Sequence, residues 1–264
     1  MSRQVEAVMG YLKHAVRAQS KYHLHSPFVF GFYKNVLKDE HTYIQYRVVN
    51  RMRKELENVS RFIKRKDLGA RCKDYPCDQR FVRVKDIIHN SSVNRKKGEF
   101  LFRLIHEYKP TTILELGTSL GISTMYFSLA APESRIVTIE GCIDSANLAR
   151  ENFEKAGLKN IHVITGNFED KLAVALGEMP DPGLVFFDGN HKKQPTLDYF
   201  EQCLKHAHSG TIFIFDDIHW SAGMEEAWNI IRQHPQVKVS IDIYHMGIVF
   251  FKEELSKEDF TIRF

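Results

Sequence analysis

A chain of 264 residues, 43% of them hydrophobic, can bury one large core or a core with an extension. No run approaches the roughly 18 uninterrupted apolar residues of a membrane span, and the first residues, MSRQVEAVMGYLKHAVRAQS, are charged throughout and lack the apolar centre of a signal peptide; a cytoplasmic protein with no membrane partner is expected. The formal charge is only +4, yet the first 100 residues hold 22 Lys and Arg against 10 Asp and Glu, while the rest hold 15 against 23. That division suits a basic helical extension docked on an acidic core, or a face for nucleic acid or an anionic substrate.

Val5, Val8, Met9, Leu12 and Val16 stand at helical spacing and predict a helix over Val5–Arg17. The segment Tyr22–Tyr33 follows, with His23, His25, Phe28, Phe30, Phe32 and Tyr33, and with Pro27 suited to a first helical turn. Aromatics this dense point first to packing against a core; a lid over an acceptor and a surface for stacking bases are the other readings. Helices are predicted over Tyr43–Lys64, Phe81–His89 and Gly98–Tyr108, with a loop over Asp67–Asp78. Arg61, Lys64, Arg65, Lys66, Arg71 and Lys73 form a basic cluster, either a solvated surface or an attractor for RNA or a phosphorylated acceptor. Cys72, Cys77, Cys142 and Cys203 lack the spacing of a zinc site and read as reduced thiols.

From Thr111 the pattern changes to short apolar runs alternating with amphipathic helices. Strands are predicted over Thr112–Leu116, Arg135–Glu140, Ile161–Thr165, Leu184–Asp188, Thr211–Phe215, Val237–Ile243 and Gly247–Phe251. Helices fall between the first five, over Ser123–Ala130, Ile143–Lys155, Glu169–Leu176 and Thr196–His206. This alternation predicts an α/β fold, a parallel sheet with helices on both faces. Tyr244–Met246 is too short for a parallel crossover, so the last two strands should form an antiparallel hairpin at one edge.

In ILELGTSLGISTMYF an apolar strand carries Glu115 near its end and is followed by Gly117, Gly121 and a helix. Ligands of open α/β sheets bind beyond the carboxyl ends of strands, where glycines let the backbone come close. The spacing G-x-x-x-G is wider than the dinucleotide fingerprint and suits a nucleoside cofactor without a diphosphate. Glu140 ends the next strand, where a carboxylate can accept both ribose hydroxyls.

The stretch ELGTSLGIS, with VTIE after it and VNRKKGEFLFRLI before it, resembles the class I S-adenosylmethionine-dependent methyltransferases. It is most similar to the catechol and caffeoyl-CoA O-methyltransferase-like branch, over roughly Ser91–Phe251. KYHLHSPFVFGFYKNVL resembles a group of bacterial methyltransferases of Bacteroidetes type. The resemblance implies a Rossmann-like, mostly parallel sheet of seven strands with an antiparallel last strand. Residues 91–264 would form the cofactor-binding methyltransferase domain and residues 1–90 a helical N-terminal extension or lid. Carried across, Glu115, Gly117, Thr118 and Gly121 would line the methionine moiety, Ser123 would bind its carboxylate and Glu140 the ribose. Gly166, Asn167 and Phe168 would border the adenine, and Asp188 would close the cofactor pocket. Ser119 stands where some members have an aromatic contact.

A second constellation lies at the next strand ends. VFFDGNH places Asp188 and His191, and IFIFDDIHW places Asp216, Asp217, His219 and Trp220. Three carboxylates on neighbouring strands repel one another unless a cation joins them, and oxygen ligands suit Mg²⁺ or another hard divalent ion. The resemblance implies the same metal set, Asp188, Asp216 and Asp217, holding two acceptor oxygens. His191 stands where the animal catechol enzymes have a lysine and can act as general base, with Asp188, whether or not a metal is present. His219 reads as an acceptor contact or as packing on Trp220. The expected function is methyl transfer to a hydroxyl of a small-molecule acceptor. An RNA-modifying enzyme using the basic N-terminal region, and a non-catalytic cofactor-binding protein, are the other readings; a homodimer is possible with any of them.

Overall fold

In the central strands, successive side chains point to opposite faces of the sheet, and both faces are apolar, so helices cover both. The computed structural model describes residues 3–20, 22, 24–65 and 80–264. The chain begins with α1 (Arg3–Arg17), α2 (Pro27–Phe32), one wider π turn (Tyr33–Leu37) and α3 (Tyr46–Glu57). A two-stranded antiparallel sheet follows, β1 (Phe62–Arg65) with β2 (Arg80–Arg83), then α4 (Val84–Ser91) and α5 (Arg95–Tyr108). The remaining elements alternate: β3 (Thr112–Leu116), α6 (Ile122–Ala130), β4 (Arg135–Glu140), α7 (Ile143–Lys155), β5 (Ile161–Thr165), α8 (Phe168–Glu178), β6 (Leu184–Phe187), α9 (Lys193–Leu204), β7 (Ile212–Asp216) and α10 (Ala222–Gln233). The chain closes with β8 (Val239–Asp242), β9 (Met246–Phe250) and β10 (Glu258–Thr261).

The main sheet runs β10–β8–β9–β7–β6–β3–β4–β5. Every pairing in it is parallel except those of β9, which lies antiparallel between β7 and β8. The order reverses beside β3, and the strands from β3 to β7 all end on one rim, where ligands of open α/β sheets bind. Ile113, Ile136, Leu184, Phe186, Ile212 and Ile214 pack on one face, in a core shared with α3–α7. Leu114, Val137, Val185, Phe187, Phe213 and Phe215 pack on the other, against α8, α9 and α10.

Three expectations are corrected. The sheet has eight strands rather than seven: β10 pairs parallel with β8, so the β8–β9 hairpin does not form the edge. The helix expected over Tyr43–Lys64 stops at Glu57, and Phe62–Arg65 turns into a strand, because Ile63 faces inward (2% exposed) and the segment pairs with Arg80–Arg83. The helix expected over Phe81–His89 likewise begins only at Val84. Cys72, Cys77, His23, Lys66, Arg71, Lys73 and the loop Asp67–Asp78 lie outside the described residues, as does the side chain of Arg65.

The aromatic segment packs on the sheet. Phe28 lies edge-on to Phe250 of β9 with centroids 4.9 Å apart, and Phe32 contacts both Phe100 and Phe250. Below it, the buried Arg103 of α5 donates to the Val36 carbonyl of the π turn at 2.7 Å. Leu24, Val29 and Val36 thus share one apolar core with the strands, across the 90/91 boundary drawn from sequence. Among the described residues no helix is long and apolar enough to cross a membrane. Phe32 is 1% exposed and Phe30 45%. In urea unfolding, Phe32→Ala is expected to cost about 3–5 kcal/mol, and Phe30→Ala within about 0.5 kcal/mol of nothing.

Candidate active site

The loop between β3 and α6 depends on two glycines. Gly117 has φ +112°, and a Cβ there would stand 2.1 Å from the Asp188 carbonyl oxygen, so the loops after β3 and β6 touch only because this residue has no side chain. Gly121 has φ +82° and begins α6; a Cβ on it would meet the Phe153 ring at 2.4 Å. Between them Ser119 also holds a positive φ, 49°.

Strand parity puts Glu115 on the same face as Ile113, beneath α6. It is wholly buried, and its carboxylate accepts from the hydroxyls of Ser123 (2.5 Å), Thr124 (2.5 Å) and Thr138 (2.7 Å). Thr118 joins the same chain through Thr138 at 2.6 Å. Burial pushes Glu115 up to about 7 against the pull of its three hydroxyl donors. Glu115 and Ser123 therefore bind each other inside the loop, and α6 starts with no side chain capping it, leaving its first N–H groups for an anion.

Glu140 ends β4. One of its oxygens accepts from Ser119 N–H (2.7 Å) and the other from Cys142 N–H (2.8 Å). A carboxylate at this strand end has the chemistry to accept from the hydroxyls of a ribose diol. The Glu140 carbonyl in turn accepts from Gly166 N–H (2.9 Å), at φ +145°. Asn167 is exposed at the start of α8, and Phe168 is half-buried, edge-on to Tyr199 at 5.7 Å. A Cβ at Gly189 would stand 2.4 Å from the Phe168 ring, so that ring wedges between the loops after β5 and β6.

Phe187 and Phe215 are register partners, which sets Asp188 beside Asp216. Asp217 follows at φ 53°, its N–H bound to the His245 carbonyl at 2.7 Å. Burial pushes Asp188 well above the usual carboxylate range, with Asp216 adding to it; burial and then Asp217 do the same to Asp216. His191 Nε2 lies 3.6 Å from Asp188 Oδ1. Sequence reasoning missed the residue at the centre: the ammonium of Lys97, on α5, donates to both oxygens of Asp216 (2.7 and 3.0 Å) and to Asp217 (2.9 Å). Burial alone would lower its pKa, but the two carboxylates raise it above its ordinary value.

The arrangement does not fit the divalent ion expected on Asp188, Asp216 and Asp217. Two of those carboxylates are already bridged by an ammonium, and among the described residues no group of three or more His, Cys, Asp or Glu is arranged to hold a metal. One signal was available in the sequence. Arg95, Lys96 and Lys97 occupy the first turn of α5 with no acid among them, against the positive end of the helix dipole, which calls for anions from elsewhere.

Further along the rim, His219 is held between two carboxylates and an aromatic ring. Its Nε2 lies 2.9 Å from Asp242, its Nδ1 3.2 Å from Glu225, and its ring stacks on Tyr244 at 5.2 Å. His14 of α1 reaches the other oxygen of Asp242 at 3.0 Å. Burial opposes the charge on both groups, yet their mutual hydrogen bonds raise His219 and lower Asp242. Of the basic cluster, Arg61 is paired with Glu151 at 2.8 Å. Cys142 and Cys203 are free and buried.

The folded chain holds a proton on Glu115 more tightly than the unfolded chain does. Stability from this group is full below its ordinary value of 4.5 and falls as pH rises to about 7. Glu115→Gln has no such proton to lose. Across that window the difference in urea-unfolding free energy should move in its favour by about 3 kcal/mol, at ~1.4 kcal/mol per unit; a constant difference would refute the assignment.

Residues 114–218 match the family described as "Methyltransferase domain". Catechol O-methyltransferases of Niastella koreensis and Mycobacterium tuberculosis are 32% and 30% identical to the chain over 130 and 129 residues, 48% of it in each case. The matches span 58% and 57% of those relatives' own lengths. An O-methyltransferase from Bacillus cereus in complex with SAH superimposes with a TM-score of 0.55 at 21% identity, over 84% of this chain and 97% of that one. The SAH-bound Podospora anserina methyltransferase PaMTH1 gives 0.59 at 15% identity, over 87% and 97%; at such identities the likeness is one of fold. Residues 114–218 of this chain thus match a methyltransferase domain, and about half of the chain is similar to catechol O-methyltransferases.

Proposed function

We propose that the protein transfers the methyl group of S-adenosylmethionine to a hydroxyl oxygen of a small-molecule acceptor on the carboxyl rim of the sheet. The observation that carries this reading is the close-packed Gly117–Gly121 loop at the carboxyl end of β3, with Glu140 fixed beside it by two backbone N–H groups. The names of the relatives, catechol O-methyltransferase, supply the hydroxyl class of acceptor.

S-Adenosylmethionine supplies a methyl carbon already activated by its sulfonium, and the displacement leaves S-adenosylhomocysteine. Glu140 holds the ribose diol, the first N–H groups of α6 receive the methionine carboxylate, and Asn167 and Phe168 border the base. Glu115 acts from inside, keeping Ser123, Thr124 and Thr138 in place beneath the loop. His191 takes the acceptor's hydroxyl proton as the oxygen lone pair closes on the methyl carbon and the C–S bond breaks. Asp188, 3.6 Å away, orients the imidazole. Alignment and exclusion of water account for most of the rate.

In titration calorimetry with S-adenosylhomocysteine, the wild type should bind and Glu140→Ala should bind roughly 10–100-fold more weakly, the loss of charge-assisted hydrogen bonds. Absence of heat with the wild type would end the proposal. His191→Ala should bind normally and lose about 10²-fold or more in turnover; an unchanged rate would remove the base assignment. Label from methyl-tagged cofactor in a cell extract should appear in small molecules resistant to nuclease. Nuclease-sensitive label would replace the acceptor class with RNA.

A further inference from the structure

We infer that Lys97 is the built-in cation of this site, and that its ammonium closes the Asp188–Asp216–Asp217 cluster to divalent metal. The inference rests on the reading of this rim as the acceptor side of a methyltransferase, but its physical basis is independent of turnover.

An ammonium has three N–H donors, and Nζ of Lys97 makes three contacts, two to Asp216 and one to Asp217. The donor capacity is used up on carboxylate oxygens. The lysine side chain is 14% exposed and that of Asp216 is 6%, so this is a pair withdrawn from water, where loss of one partner leaves an uncompensated charge. Its backbone is fixed as well: Asn94 Oδ1 accepts from Lys97 N–H at 2.9 Å as the cap of α5. The ammonium is therefore delivered from a capped helix end to a strand end.

A lysine in that place is opposed by burial and by the positive end of α5. Only the anions offset both. A divalent ion on the same oxygens would require Nζ to leave them, or would set two cations against each other at contact distance. Without Lys97, three neighbouring carboxylates would remain with no cation among them except His191, the situation that oxygen-binding metals resolve. Lys97 is a positioning residue here: it holds Asp216 and Asp217 and has no donor left for an acceptor.

The test is titration of the full-length protein with Mn²⁺, followed by paramagnetic resonance of the free ion and by calorimetry. The wild type should show no stoichiometric site up to millimolar metal. Lys97→Met should gain one site, roughly tenfold or more tighter than any residual wild-type binding, and Asp216→Asn added to it should remove that site. Lys97→Gln serves in the same way should the methionine variant not fold. A single wild-type Mn²⁺ site lost on Asp216→Asn would overturn the inference, as would folded Lys97 variants that bind no more metal than the wild type. Methyl transfer by the wild type should be unchanged by EDTA; its abolition would likewise overturn the inference. Metal binding is read without an acceptor, so failure here is distinct from failure of the cofactor-binding experiment.

Discussion

The ammonium shared by Asp216 and Asp217 ties the first turn of α5 to the carboxyl end of β7, and the electrostatics of the whole rim are arranged around it. Acids stand at four successive strand ends, and each is satisfied in a different way. Glu115 has hydroxyls, Glu140 has backbone N–H groups, and Asp216 with Asp217 has a lysine. Asp188 is left with His191. These partners separate the groups by task. A carboxylate bound by hydroxyls deep under a helix serves the loop above it, whereas Glu140 is fixed by backbone at the edge of the rim. The acid that faces a titratable imidazole is the one suited to proton transfer.

Backbone geometry follows the same rim. Gly117, Ser119, Gly121, Gly166, Asn190, Asp217 and Tyr244 all have positive φ, and all lie in turns beyond strand ends. Positive φ is uncommon for residues with a side chain. Its concentration here reflects a rim where several loops must turn sharply and approach one another, as the contact of Gly117 with the Asp188 carbonyl shows.

The five strands β3 to β7 were legible because short apolar runs ended at turn residues, and their observed limits differ from the expected ones by one residue at most. Placing those strands also placed Asp188, Asp216, Asp217 and His191, since they follow directly in sequence. The short strands β1 and β10 were not legible. In Phe62–Arg65 only Ile63 is deeply buried, and in Glu258–Thr261 only Phe260, so neither carries a periodic signal; each is specified by the strand it pairs with. Lys97 was hidden for a related reason. A lysine in the run Arg95–Lys97 reads as solvated, and its depth is decided by contact with residues 119 and 120 positions away. The reading of these acids as a metal set overlooked that one distant contact, while the carboxylates stand at the strand ends where the sequence put them.

The attachment of α1 has a consequence for synthesis. His14 is held by Asp242, 228 positions later, and Gln19 bonds to Thr261. A helix made well before these residues thus finds its seat only after the β8–β9 turn and β10 have left the ribosome. The placing of α1 thus rests on contacts of long sequence separation, which form late because the intervening chain must be ordered first.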